Sequence, residues 1–96
     1  MTLLITLDAL QTLDAIERRH SFAAAAEELH RVPSAVSYTI NKLEEDLGVE
    51  LFDRSRRKAE LIATGRLVLE QGRHILKASE ELTALVRQAA DGWETE

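Results

Sequence analysis

The chain of 96 residues has no cysteine, one proline, four glycines and four aromatic side chains. Without cysteine there is no disulfide scaffold, no zinc-thiolate centre and no thiol nucleophile, and the composition suits a reducing cytoplasm. So few glycines, prolines and aromatics leave little material for the turns and packed faces of a sheet sandwich. No apolar run approaches the roughly 18 residues of a membrane helix. The apolar start from Met1 to Leu7 has no basic leader and meets Asp8 at once, so it reads poorly as a signal peptide. What remains is a 45% hydrophobic, 30% charged chain of a size that makes one small, mostly helical domain.

The formal net charge of −5 speaks against nucleic acid, because Lys and Arg supply most non-specific affinity for phosphate. Its distribution speaks the other way. Arg54, Arg56, Arg57 and Lys58 set four positive charges within five residues, whereas residues 59–96 hold seven acids against four bases. One basic edge on an acidic body is expected.

Leu7, Leu10, Leu13 and Ile16, with Ala9 beside them, follow helical spacing up to Glu17, Arg18 and Arg19. Ser21 is a good N-cap for a second, alanine-rich helix over Phe22 to Leu29, whose small side chains let another helix cross closely. Pro33 fits the first turn of a third helix, where its missing amide is not needed. That helix carries Val36, Ile40, Leu43 and Leu47 along one arc and is closed by Gly48. Two short helices joined by three residues are a helix-turn-helix candidate, although the turn lacks glycine.

Beyond Gly48, the stretches Val49 to Arg54 and Ala59 to Ile62 flank the polar tip Ser55 to Lys58, which predicts a small hairpin, or wing. From Gly65 to about Ala90 no proline interrupts a helical stripe that includes Val68, Ile75, Leu82 and Ala89. At 1.5 Å per residue such a helix runs to nearly 40 Å, longer than so small a domain can cover. A partner is expected along it.

On the third helix the face opposite the apolar arc holds Ser34, Ser37, Tyr38, Asn41 and Glu45. Hydroxyls and an amide near the N-terminus suit a helix whose first turns enter a major groove; an ordinary solvated face is the plain alternative, and periodicity alone weighs the two evenly.

The run LDALQTLDAIERRHSFAAAAEELHRVPSAVSYTINKLEEDLGVELFDRS, Leu7 to Ser55, resembles the N-terminal domain of LysR-type transcriptional regulators, and the similarity continues to about Ala90. SFAAAAEELH and SAVSYTINKLEEDLGVELFDR carry it best, in register with the second helix, the recognition helix and the start of the wing. The resemblance implies a winged helix-turn-helix over residues 1–63, of three helices plus a small β-hairpin wing. A long linker and dimerisation helix over 64–90 would follow, and then a tail over 91–96 at the threshold of a larger effector-binding domain. It implies a DNA surface of Pro33, Ser34, Ser37 and Tyr38, with Ser21 capping beside a phosphate, Arg54 holding the backbone, and Arg56, Arg57 and Lys58 in or beside the minor groove. Asn41 joins this set on the helical-face argument. Three positions depart from the family's habit: Val32 stands where Ser or Thr is common, Ile62 where Thr is frequent, and Arg56 where Gly is common at the wing tip.

The resemblance further implies antiparallel pairing of two linker helices in a homodimer. Val68, Gly72, Ile75, Ser79, Leu82 and Val86 are the expected interface, with the small residues allowing close approach. A tetramer and a small-molecule effector would involve only a further C-terminal domain. His20, His30 and His74 lack metal-ligand spacing, and the acids Glu44, Glu45 and Asp46 accompany no nucleophile or phosphate loop. No catalytic site, metal or cofactor is therefore expected. The competing reading is a protein-interaction module that uses the same scaffold only to dimerise, supported by the overall acidity.

Overall fold

The computed structural model describes residues 3–55 and 60–94, with only the backbone described at 93 and 94. The first helix, α1 (Leu7–Arg19), starts where the Thr6 hydroxyl accepts the Ala9 N–H at 3.1 Å. It ends where His20 turns left-handed at φ 60° and returns its N–H to Ile16. The second, α2 (Phe22–Glu28), is capped by Ser21, whose Oγ accepts the Ala24 N–H at 2.8 Å. The third, α3 (Pro33–Leu47), has no side-chain cap at Val32 and relies on Pro33 in its first turn; Gly48, at φ 70°, closes it. All three agree with the helices expected from spacing and capping.

The hairpin joins β1 (Phe52–Asp53) to β2 (Glu60–Leu61), antiparallel, with Phe52 opposite Leu61 and Asp53 opposite Glu60. Both strands are shorter than the flanks expected. On the first side the Leu51 N–H goes to the Glu44 carboxylate instead of a strand partner. The long helix α4 (Ala63–Glu94) starts two residues before Gly65 and continues past Ala90, since neither proline nor a left-handed residue interrupts it.

Leu13 and Ile16 from α1, Ala25 and Ala26 from α2, Val36, Ile40 and Leu43 from α3, and Leu51, Phe52 and Leu61 around the hairpin form one buried cluster. Ala25 and Ala26 let α2 sit directly on this core, as four consecutive small helix formers should. Phe22 meets Phe52 with ring centroids 5.4 Å apart at 60°, a tilted pairing that ties α2 to the hairpin.

Only the first half of α4 joins this core. Leu69 is buried, Gly65 lies against the Leu51 carbonyl and Gly72 against Leu10. Every residue from Glu80 to Gly92 is exposed. The result is a body of 60 × 30 × 20 Å with a radius of gyration of 16.1 Å, against about 12.5 Å for a compact chain of this length.

An ionic lattice ties the helices together. Asp14 takes Arg18 Nε at 2.8 Å on one oxygen and Arg73 Nε at 2.8 Å on the other, while Arg18 also forks onto Glu28. One carboxylate thereby links α1 to α4, and through Arg18 to α2. Arg31, in the turn before α3, forks onto Asp8 of α1. Burial alone would raise the Asp14 carboxyl, but the hydrogen bonds and charges of Arg18 and Arg73 outweigh it and hold the group below its ordinary 3.8.

Two tests follow from this packing. A Cβ at Gly65 would stand 2.1 Å from the Leu51 carbonyl oxygen, which is backbone and cannot step aside; one at Gly72 would meet a terminal methyl of Leu10, which can. Gly65→Ala is expected to lose about 1–3 kcal/mol net of helix propensity, a drop of roughly 4–15 °C in Tm by calorimetry, and Gly72→Ala clearly less. Because the unfolded chain protonates Asp14 at a higher pH than the folded chain does, stability is full above that ordinary value and falls on acidification below it. Urea midpoints measured from about pH 5 to 3 should fall, and Asp14→Asn should flatten part of that fall.

Candidate nucleic-acid interface

The exposed face of α3 is organised by the burial of the other. With Val36, Ile40 and Leu43 in the core, the helix turns Pro33, Ser34, Tyr38 and Asn41 to the surface and leaves Ser37 half-buried between them. Tyr38 is 67% exposed, an unusual state for a large ring and one that leaves its hydroxyl and its flat face open. The Thr39 hydroxyl turns back to the Ala35 carbonyl at 3.0 Å and does not join this surface. The acids of α3 lie toward its C-terminal end, where Asp46 pairs with Lys42 at 3.5 Å. The first turns therefore offer hydroxyls and an amide with no carboxylate among them.

Ser21 caps α2 with its oxygen, and its hydroxyl proton stays available to a further acceptor. Arg54, at the base of the wing, projects not away from the domain but across to α3. Its Nη2 donates to Asn41 Oδ1 at 2.9 Å and to Glu44 Oε1 at 2.7 Å, and its guanidinium lies 6.0 Å from the centroid of Phe22. The other Glu44 oxygen accepts the Leu51 N–H at 2.8 Å. With its side chain only 13% exposed, Glu44 joins the wing base to α3.

Sequence reasoning missed Glu44 by grouping it with Glu45 and Asp46. A signal was there: at about 100° per residue Glu44 borders the apolar arc beside Ser37 and Asn41, whereas Glu45 lies opposite. The structure thus gathers Ser34, Ser37, Tyr38, Asn41 and Arg54 into one region and adds Glu44 behind them. Arg56, Arg57 and Lys58 lie outside the described residues.

The set expected along α4 is divided. Gly72 is buried against Leu10, Val68 packs on the core, and Ser79 is half-buried in a groove with Leu7, Gln11 and Leu76. Ile75, Leu82 and Val86 stay open, and Leu67 and Leu85, each 62% exposed or nearly so, extend their stripe. α1 occupies one flank of the amphipathic helix, so Gly72 and Ser79 lie against their own domain while Ile75, Leu82 and Val86 stay on a free face. A shallow apolar hollow lined by Ile5, Leu10, Leu67, Val68 and Ile75 marks the edge of that free face.

Among the described residues no three His, Asp or Glu side chains gather as a metal ion requires, and no helix is long and apolar enough to cross a membrane.

Three helices with a hairpin packed behind the third define a winged helix-turn-helix, here extended by a long C-terminal helix. Residues 7–66 match the bacterial regulatory helix-turn-helix proteins of the lysR family, and the chain belongs to that family. It is 56% identical over 91 residues to the probable HTH-type transcriptional regulator YhaJ of Escherichia coli K12, covering 95% of this chain and 30% of that protein. To the HTH-type transcriptional regulator PunR of the same organism it is 49% identical over 85 residues, 88% of this chain and 27% of that one. The chain thus spans less than a third of the length of these relatives. Among solved structures it resembles the CbnR DBD in complex with DNA, with a TM-score of 0.82 at 35% identity over 90% of this chain and 99% of that one. Full-length OxyR C199D from Pseudomonas aeruginosa superposes with a TM-score of 0.83 at 27% identity, over 88% of this chain and 28% of that one.

Removing the Glu44 carboxylate would leave the Leu51 N–H without its partner beneath a fully buried side chain. Glu44→Ala is expected to lose about 1–3 kcal/mol, read as a lower urea midpoint with an unchanged slope, whereas Glu45→Ala should be nearly neutral.

Proposed function

We propose that the chain is the DNA-binding part of a transcription regulator that works as a homodimer without catalysis of its own. The observation that carries this reading is the polar face of α3, exposed and free of acids over its first turns, in a fold shared with a relative solved on DNA. Ser34, Ser37, Tyr38 and Asn41 would meet base edges and phosphates in the major groove, with Pro33 setting the helix entry. Ser21 would donate its hydroxyl proton to a phosphate. Arg54 braces the wing against α3, and Arg56, Arg57 and Lys58 supply the charge that follows the backbone or minor groove.

The second copy would lie along Leu67, Ile75, Leu82, Leu85 and Val86 of α4. At about 48 Å this helix is long enough to hold two recognition helices one helical turn of DNA apart or more, which suits an interrupted palindrome. Any small-molecule effector, and any tetramer, would act through parts of the longer proteins that these residues do not include. The proposed location is the cytoplasm, where the DNA of a bacterial regulator lies, and the DNA contact needs no metal or cofactor.

Binding to the promoter beside its own gene and to random duplex should be measured by fluorescence anisotropy across salt, with mass in solution followed in parallel. Dimeric mass, promoter preference and a steep linear loss of log affinity with log salt are expected. The double variant Arg56→Ala, Arg57→Ala, which removes two charges from each protomer of the dimer, should reduce that slope by about 4. Ile75→Glu with Leu82→Glu should halve the mass and weaken binding. A dimer that binds neither duplex at low salt would identify an interaction module instead.

A further inference from the structure

Asn41 does not stand free on its face of α3. Its Oδ1 is 2.9 Å from Arg54 Nη2, and a guanidinium can only donate, so the amide is oriented by chemistry: oxygen toward the wing, Nδ2 away from it. Arg54 is held in turn by Glu44 at 2.7 Å and by the ring of Phe22, and Glu44 is held by the Leu51 N–H. The side chain of Asn41 is thus the last member of a fixed series that begins at the hairpin.

We propose that Asn41 is a specificity-determining residue that reads DNA as an N–H donor, through Nδ2 alone, and that Arg54 and Glu44 are the positioning residues that make it so. The proposal rests on the DNA-binding reading above. An asparagine selects adenine by using both ends of its amide, accepting from N6 and donating to N7. With one Oδ1 lone pair taken by Arg54 and the oxygen turned toward the wing, that pairing is disfavoured. The free donor instead favours an edge that offers acceptors side by side, which in the major groove is the O6 and N7 of guanine. The negative partner of Arg54 has a second effect: the Arg54 charge is already met within the protein, so its main part is orientation and not charge neutralisation.

The test is selection from a library of randomised duplexes with the 96-residue chain, its Asn41→Ala, Arg54→Met and Arg54→Lys variants, and a thermal melt of each to confirm folding. The wild type should enrich guanine at one position of each half-site. Asn41→Ala should lose that preference, about fivefold for one hydrogen bond, while the other positions keep theirs. Arg54→Met retains an unbranched stem beside Phe22 but no donor, and should move the same position toward adenine; Arg54→Lys, which still donates, should keep guanine. Substituting 7-deazaguanine there should weaken the wild type and leave Asn41→Ala unaffected. Uniform weakening by Asn41→Ala with unchanged preferences would mean that Asn41 holds a phosphate, and would overturn the proposal. So would an Arg54→Met variant that folds and keeps guanine. If the wild type enriches no sequence at all while remaining dimeric, the DNA-binding reading itself fails, an outcome distinct from both of these.

Discussion

The backbone of Leu51 is the junction on which the domain depends. Its N–H is bound by the Glu44 carboxylate of α3, its carbonyl accepts the Ile62 N–H that closes the hairpin, and the same carbonyl faces Gly65 at the root of α4. Its side chain is fully buried. One residue therefore joins the recognition helix, the wing and the long helix, in a chain too small to offer many alternative supports. A two-stranded hairpin has little stability alone. Here it is held at its base by polar contacts from α3 and by the Phe22–Phe52 ring pair.

The same economy governs the charges. An acidic protein can present a surface suited to an anion only if its carboxylates are placed elsewhere or occupied. Both devices operate: Glu45 and Asp46 sit toward the far end of α3, while Asp8, Asp14, Glu28 and Glu44 are each engaged by arginine. These bridges are partly exposed, so each adds little to stability by itself. Their larger effect is to connect elements, since they join α1 to α2, to α4 and to the turn before α3.

Much of this was legible in the sequence, for local reasons. The three short helices declare themselves through their periodicity, and through Ser21, Pro33 and Gly48 at their ends, where the caps depend on neighbours three or four residues away. The polar face of α3 was legible for the same reason. What could not be read depends on contacts between distant segments. Gly72 and Ser79 lie on a stripe that serves equally well inside or between chains, and their contacts with α1 could not be read from it. The link from Arg54 to Asn41 and Glu44 spans 13 and 10 residues, and no periodicity announces such a pairing. The short strands likewise reflect a competition for the Leu51 N–H that is won by a side chain on another element.

The distal half of α4 turns small angles into long displacements. Arg73 ties α4 to Asp14 of its own domain, and Val86 stands 13 residues beyond that bond, about 20 Å along the helix. Over that arm a tilt of about 10° moves the far end by about 3.5 Å, close to the rise of a single base pair. In the proposed homodimer the spacing between the two copies of α3 would depend on the hydrogen-bonded carboxylate at the fulcrum. A change of a few degrees at Asp14 would be felt as a change of register.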